Sequence, residues 1–217
     1  MYGEKSRIIY DTLIKNHLVG SEGSIKIELL GVSYLVNDKS SIGNLIQEWL
    51  GAWMLKNNIY FRAPDNSQEF PDFYLDNSEI KNLLEVKCFD FSASPNFDIA
   101  NFDAYIRSLL TKPYRLDADY LIFGYTLHNG ILKIENIWLK KIWEITCPSE
   151  QFSLRVQVKQ GKIFNIRPYN FKNMSQGYKP FGSKREFIFA LRNTLNEYKF
   201  RNISGDSWYK SFLSVGN

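Results

Sequence analysis

Three residues in one short part of the chain have the types and the spacing that phosphodiester chemistry needs. Glu85 and Lys87 lie two apart in the apolar segment LLEVKCF, and Asp72 follows Pro71 in the earlier segment PDFYL. Alternate residues of a strand face the same side, so Glu85 and Lys87 share a face. If PDFYL forms the neighbouring strand, two carboxylates and one ammonium group converge.

Such a cluster predicts a metal site. Two carboxylates a few ångströms apart repel each other and need a counter-charge. Mg²⁺ is commonly held by one or two carboxylates together with water and a phosphate. A lysine beside the cation can orient or help to deprotonate the attacking water and can stabilise charge on the phosphate. These residues therefore indicate metal-assisted hydrolysis of a phosphodiester.

The spacing of an acid, any residue and a lysine occurs three times in the chain. Glu79-Ile80-Lys81 lies in a predicted turn and Glu197-Tyr198-Lys199 in a predicted helix, where both would be solvated. Only Glu85-Val86-Lys87 is embedded in an apolar strand with Pro71-Asp72 upstream. The alternative is an edge strand with a surface Glu–Lys pair, which contributes little energy.

Hydrophobic spacing predicts the elements that position these residues. Apolar residues at helical intervals predict helices over 5–18 and 41–58, and the second can be capped by Ser40 or Ser41. Alternation between them predicts a short strand pair over 24–36, and 59–64 is a further candidate strand ending at Pro64.

The second half of the chain continues in the same mixed order. Residues 103–112 read as a helix that ends before Pro113, and the apolar segment 119–127 reads as a central strand. A turn at 128–130 leads into another strand, 153–166 reads as a hairpin, and a last helix begins at a capping box of Ser183 and Glu186. The order predicts a mixed α/β fold.

Composition limits the class of protein. The chain has 217 residues, 44% of them hydrophobic, and a net charge of +4, which favours one folded domain and permits a polyanionic partner. Between Lys159 and Arg201 there are ten Lys or Arg and only two acids, Glu186 and Glu197. Two cysteines and two histidines leave little for a disulfide framework or a zinc site. We see no signal peptide or membrane span and expect a cytoplasmic protein.

The segment PDFYLDNSEIKNLLEVK resembles the PD-(D/E)XK nuclease motif, whose pattern maps onto Asp72, Glu85 and Lys87. The resemblance implies a restriction-endonuclease-like core, a central mixed sheet flanked by helices. It also implies Mg²⁺-dependent DNA cleavage, with Mn²⁺ able to substitute. Asp72 and Glu85 would be metal ligands, and Lys87 would lie near the attacking water. Glu48 is the candidate for a further acid from the preceding helix, and the alternative is an exposed helix residue.

The order of elements is similar to that of the EcoRV-type branch, and the chain also looks like the small NgoBV/NlaIV-type enzymes. This resemblance implies a type II restriction endonuclease that acts on double-stranded DNA as a homodimer. A cognate DNA methyltransferase would be its genetic rather than physical partner. One nuclease domain would span 1–217, with a catalytic core at about 40–140 and DNA recognition at about 150–217.

Reading a DNA sequence requires contacts to base edges as well as to phosphates. The loop of about sixteen residues after 166 is long for a compact domain and is rich in residues that pair with adenine, guanine or phosphate. An ordinary solvated loop is the alternative. A second candidate segment follows the catalytic strand. The predicted DNA contacts are Asn96, Asn101, Arg167, Asn170, Lys172, Asn173, Gln176, Lys179, Lys184 and Arg185.

Two other functions remain open at this point. A repair or junction nuclease could use the same fold and the same three residues. A DNA-binding protein could keep the fold without the chemistry, although Asp72, Glu85 and Lys87 are all present. The long polar loop favours base recognition over recognition of DNA shape alone.

Overall fold

The computed structural model describes residues 1–66, 69–172, 179–198 and 203–215. These residues form two compact units. Unit 1 comprises Met1–Ser94 and Ala118–Lys140, and unit 2 comprises Pro95–Asp117 and Lys141–Asn217. Within the described ranges, no helix is both long enough and apolar enough to cross a membrane.

The helices and strands alternate irregularly along the chain, which confirms the predicted mixed α/β class. In chain order they are α1 (Glu4–Lys15), β1 (Glu22–Ser24), β2 (Lys26–Leu29), β3 (Val32–Leu35), α2 (Ile42–Lys56), β4 (Phe73–Tyr74), β5 (Leu83–Asp90), β6 (Ala100–Asn101), α3 (Phe102–Leu109), β7 (Asp119–His128), β8 (Ile131–Lys141), β9 (Val156–Lys159), β10 (Lys162–Ile166), α4 (Lys184–Glu197) and α5 (Gly205–Val215).

A five-stranded mixed sheet forms the centre of unit 1, in the order β1-β8-β7-β5-β4. β5 and β7 run parallel, with Glu85 opposite Tyr120 and Lys87 opposite Ile122, whereas β4 is antiparallel to β5. β7 is buried along almost its whole length, as its apolar sequence predicts for a central strand. The turn into β8 uses Asn129 and Gly130, both at positive φ, the pattern of a tight hairpin.

Helices α1 and α2 contribute buried side chains to the core of unit 1. Ile9 and Leu13 of α1 and Leu50 and Met54 of α2 are at most 1% exposed, and they belong to the same apolar cluster as Leu84 of β5. Both helices match the sequence prediction. The predicted strand over 59–64 is wrong, because this segment forms only one isolated bridge, between Arg62 and Tyr74.

Unit 2 combines a three-stranded sheet, β6-β10-β9, with three helices among its described residues. Asn101 caps α3 by accepting the Ala104 N–H, and Ser183 caps α4 as predicted by accepting the Glu186 N–H. Helix α5, which the sequence reasoning did not identify, is tied to α3 by a 2.9 Å hydrogen bond from Trp208 Nε1 to the Ile106 carbonyl.

The sheet of unit 1 has no room for a side chain at Gly124 of β7. A Cβ atom there would lie 2.7 Å from a ring atom of Phe91 and 3.1 Å from a ring atom of Trp138. Both rings belong to a packed layer. We expect Gly124→Ala to lower the free energy of unfolding by about 1–3 kcal/mol, because overpacking forces side chains away from their favoured rotamers. Urea unfolding followed by circular dichroism measures the change.

Gly23→Ala is the matched control, because a Cβ at this exposed position of β1 would meet no atom within 4 Å. Its stability should stay within about 0.5 kcal/mol of the wild type. Equal unfolding curves for Gly124→Ala and the wild type would contradict the described packing.

Candidate active site

The geometry of the central sheet brings the three predicted catalytic residues together. β4 pairs with β5 so that Phe73 lies opposite Leu84, which places Asp72 at the start of β4 beside Glu85. Leu84 and Val86 point into the core, whereas Glu85 and Lys87 occupy the opposite face of β5. Glu85 is nevertheless only 9% exposed. The strand therefore holds its two charged residues in a protected position.

Hydrogen bonds fix these three side chains. Lys87 Nζ donates to Glu85 Oε1 at 2.8 Å, and the Val86 backbone N–H donates to Asp72 Oδ2 at 2.6 Å. A side-chain hydrogen bond from Gln47 of α2 also reaches the Asp72 carboxylate. The cluster is thus built from three elements of unit 1: a helix, the start of a short strand and a central strand.

Burial and neighbouring charges shift the pKa values of two groups in the cluster, Asp72 and Lys87. Burial and the neighbouring Glu85 carboxylate raise the pKa of Asp72 well above its ordinary value, against the opposing effects of the Val86 N–H, Lys87 and Gln47. Burial by itself disfavours the charged form of Lys87, but the Glu85 and Asp72 carboxylates outweigh it and raise the Lys87 pKa. The lysine is therefore a cation, and one positive charge serves two carboxylates.

The donor set fits a hard divalent cation. Glu85 Oε2 is buried and has no hydrogen-bond partner among the described residues, which is costly for a carboxylate oxygen unless something else binds it. No group of three or more His, Cys, Asp or Glu suited to a metal occurs in the described ranges. Asp72 and Glu85 would thus be the side-chain ligands, a set that suits Mg²⁺ because it retains several waters.

Helix α2 meets Asp72 through Gln47 and not through the neighbouring acid. Glu48, predicted as a further catalytic acid, has an exposed side chain, whereas Gln47 is half-buried. The sequence contained a signal for Gln47, since it is a polar residue beside the apolar stripe that Ile46 and Leu50 form. Glu48 is the candidate that the resemblance implies, because the family often adds an acid from the helix before the motif.

The predicted DNA contacts that the structure describes all belong to unit 2, and several of them are already bonded within it. Asn101 uses its Oδ1 to cap α3 and its Nδ2 to reach the Phe164 carbonyl at 3.2 Å. Arg167 forms an ion pair with Asp98 and donates to the carbonyl oxygen of Asn96. The Asn96 side chain itself is exposed.

The remaining predicted contacts vary in their surroundings. Lys184 pairs with Asp117 at 2.6 Å, and Arg185 lies over the Phe189 ring at 5.4 Å. Asn170 has a buried Oδ1 with no hydrogen-bond partner in the described part of the chain. Lys172 is half-buried and Lys179 is exposed, whereas Asn173 and Gln176 lie outside the described residues.

Because two carboxylates are crowded together, the cluster should weaken the metal-free fold. A carboxyl group whose pKa is raised on folding becomes destabilising as the pH rises above its unfolded pKa, and the cost is complete above its folded pKa. We therefore expect Asp72→Asn to raise the free energy of unfolding at pH 8 in EDTA. One pKa unit corresponds to about 1.4 kcal/mol, so the gain should be on the order of 1 kcal/mol or more.

Asp76→Asn is the matched control and should have the opposite effect. Hydrogen bonds from Asn82 and from the Ser78 N–H lower the pKa of Asp76, so its charge stabilises the fold above the unfolded pKa. Thermal unfolding of both variants measures the two signs. A loss of stability in Asp72→Asn would contradict the described crowding.

Comparison with known proteins identifies the family. The family model described as NgoBV restriction endonuclease matches residues 4–215. Type II restriction enzyme NlaIV from Neisseria lactamica is 38% identical over 212 residues, which cover 94% of this chain and 86% of that protein. Type II restriction enzyme NgoBV from Neisseria gonorrhoeae is 36% identical over 155 residues, 70% of this chain and 88% of that protein.

A solved structure agrees with these sequence matches. The NlaIV restriction endonuclease superposes with a TM-score of 0.91 at 36% identity, covering 97% of this chain and 87% of that chain. The predicted restriction-endonuclease-like core and the resemblance to NgoBV/NlaIV-type enzymes are both confirmed. The chain therefore belongs to the NgoBV restriction endonuclease family.

Proposed function

We propose that this chain cuts double-stranded DNA at a specific sequence by Mg²⁺-dependent hydrolysis of phosphodiester bonds. Its function as a type II site-specific deoxyribonuclease follows from its family, and that family implies a divalent metal cofactor. The observation that carries the chemistry is the buried Oε2 of Glu85, which has no hydrogen-bond partner among the described residues and lies beside Asp72 and Lys87. Mg²⁺ is our proposal for the cation, with Mn²⁺ able to replace it.

Each residue of the cluster has a distinct role in this proposal. Asp72 and Glu85 would hold the cation, which would supply positive charge near the scissile phosphate and lower the pKa of water. Lys87 keeps its proton on Nζ and is anchored by Glu85 Oε1, so its ammonium group can orient the attacking water and stabilise charge on the phosphate. Gln47 orients Asp72 through its amide.

The basic C-terminal part of the chain supports contact with DNA. Ten Lys or Arg make residues 159–201 strongly basic, and contacts between basic side chains and phosphates dominate affinity for DNA. We propose that the loops of unit 2 supply the base contacts and that both units work as one nuclease domain. A cytoplasmic location and a methyltransferase encoded as a genetic partner complete the proposal, since the cell's own DNA must be protected from cleavage.

Lys87→Ala should abolish cleavage and leave DNA binding intact, because it removes the ammonium group and not the phosphate contacts of unit 2. The test incubates a sequenced plasmid with the protein in Mg²⁺, in Mn²⁺ and in EDTA, and maps the ends by sequencing. Discrete fragments with either metal and none in EDTA are expected from the wild type. Binding of the variant is measured by gel shift at several salt concentrations, since phosphate contacts weaken as salt rises.

Lys81→Ala is the matched control, because Glu79-Ile80-Lys81 has the same spacing outside any strand. It should cut at the wild-type rate. Cleavage by Lys87→Ala at that rate would overturn the role of Lys87. Cleavage that follows DNA junctions instead of sequence would support the repair nuclease, and no cleavage with any metal would support the non-catalytic DNA-binding protein.

A homodimer is the second part of the proposal, because a protein with twofold symmetry matches a twofold DNA site. The hairpin of β2 and β3 offers a surface for it. The pairs Ile27–Tyr34 and Leu29–Val32 lie on one face, and their exposed fractions are 50%, 59%, 70% and 70%. Four apolar side chains in one row on a two-stranded sheet favour a protein partner.

The hairpin is anchored to unit 1 through the strand face opposite to this apolar face. Leu35 belongs to the opposite face and packs directly against Gly130, and the Asn37 side chain accepts the Gly130 N–H. The hairpin tip carries a fully exposed Leu30 at a φ of 49°, a conformation that leucine rarely adopts. We propose that a second copy of the chain covers this apolar face.

Leu29→Asp should convert the dimer into a monomer, because it buries a charge in the proposed interface. Sedimentation measures the mass, and the monomer should nick a supercoiled plasmid in place of cutting both strands. Leu55→Asp is the matched control, since Leu55 is an equally exposed leucine, 67%, on α2. A wild-type protein that sediments as a monomer, or a Leu29→Asp variant that stays dimeric, would rule out this face.

A further inference from the structure

Two polar segments of unit 2 that were predicted separately to contact DNA are joined into one surface. Residues 95–99 come after β5, the strand that carries Glu85 and Lys87, and residues 167–172 follow β10. Between them, β6 pairs with β10 so that Ala100 lies opposite Ile166, and the Ile99 N–H donates to the Ile166 carbonyl at 3.0 Å. The two segments therefore leave the same pair of strands together.

A ring contact and an ion pair extend this connection beyond the strands. The Phe97 and Phe171 rings lie 6.4 Å apart between centroids. The Arg167 guanidinium pairs with the Asp98 carboxylate through Nη1 and donates through Nη2 to the Asn96 carbonyl oxygen. One arginine thus holds both the side chain and the main chain of the segment opposite.

The backbone of Arg167 is also fixed by hydrogen bonds. Its N–H donates to the Arg155 carbonyl at 3.0 Å, and its carbonyl accepts from Thr146 Oγ1 at 2.8 Å. Thr146 is fully buried, and the Arg167 side chain is only 24% exposed. A planar guanidinium with two terminal nitrogens already engaged is poorly placed to make a bidentate contact to guanine, which needs two of its N–H groups at once.

We infer that Arg167 and Asp98 are positioning residues for sequence selection: their ion pair presents Asn96 to the DNA, and Arg167 does not read a base itself. This inference rests on the proposed function. Asn96 has its carbonyl oxygen fixed by Arg167 and follows the buried Pro95, while its amide side chain is exposed. An asparagine amide can make a bidentate contact to adenine, and a fixed backbone holds the amide in the geometry that this contact needs.

The test compares selectivity, measured as the ratio of kcat/KM at the mapped recognition site to that at sites with one substituted base pair. Arg167→Ala and Asp98→Ala should each lower this ratio by about tenfold or more, the range that one bidentate base contact provides. The double variant should lose no more than either single variant, because both remove the same contact. Hydrogen exchange in the peptide 95–101 should become faster in all three.

The chain offers a matched control in the same unit. Arg192 and Asp206 form an ion pair of similar exposure, 34% and 55% against 24% and 52%, that links α4 to α5. Arg192→Ala and Asp206→Ala should leave the selectivity ratio unchanged. Should Asp98→Ala unfold, Asp98→Asn keeps one acceptor oxygen and serves in its place.

Each result separates this inference from the proposed function. Loss of selectivity in Arg167→Ala but not in Asp98→Ala would show that Arg167 reads DNA directly and would overturn the inference. Specific cleavage by the wild type with an unchanged ratio in both variants would also overturn it and leave the proposed function standing. A wild type that cuts no DNA would overturn both.

Discussion

The ion pair between Lys87 and Glu85 is the interaction on which the cluster of Asp72, Glu85 and Lys87 depends. Two carboxylates this close would repel each other, and the sheet that holds them excludes much of the water that could screen them. A single ammonium group donates to one carboxylate and lowers the energy of both. The remaining charge is negative and includes a buried oxygen, Glu85 Oε2. The protein thus carries an excess of negative charge that a bound cation, or a proton on Asp72, would compensate.

The two units use polar side chains in different ways. In unit 1 the cluster leaves one carboxylate oxygen without a hydrogen-bond partner in the described part of the chain, which costs stability and favours binding of a ligand. In unit 2 the polar groups of Asn101 and Arg167 are engaged in binding other parts of the same unit. A polar residue that can contact DNA can equally hold a loop in place, because both roles require the same hydrogen-bond donors and acceptors.

Periodicity predicted the elements whose packing is regular. The apolar stripe of α2 and the alternation in β5 follow from local sequence. The alternation in β5 predicts that Glu85 and Lys87 share one face of the strand. Residues 59–64 resemble a strand because of apolar residues such as Phe61. The Phe61 side chain instead packs its ring against the Phe73 ring, and the segment is not a strand. Helix α5 was missed because its order depends on Trp208 bonding to a residue about one hundred positions earlier.

The grouping of Asp72, Glu85 and Lys87 could be predicted because the motif fixes their spacing. The contacts of Gln47 and Arg167 could not be predicted, because their bonding partners are distant in the sequence. Gln47 and Glu48 are adjacent, and the rotation of about 100° between them decides which one reaches Asp72. That phase depends on how α2 packs and cannot be obtained from the helix alone. Arg167 likewise has a partner 69 residues away, Asp98, and no local pattern in the sequence indicates this ion pair.

The main chain of Val86 donates to Asp72, and this bond has a consequence for how the sequence can vary. Residue 86 separates the two charged positions of β5, yet its contribution to the cluster comes from its backbone amide. Its side chain lies in the core, so any apolar residue of similar volume should satisfy that position. Proline is the exception, since it lacks the N–H and would release the carboxylate. The middle residue of the motif can therefore vary among apolar side chains, but it cannot be proline, which has no amide proton.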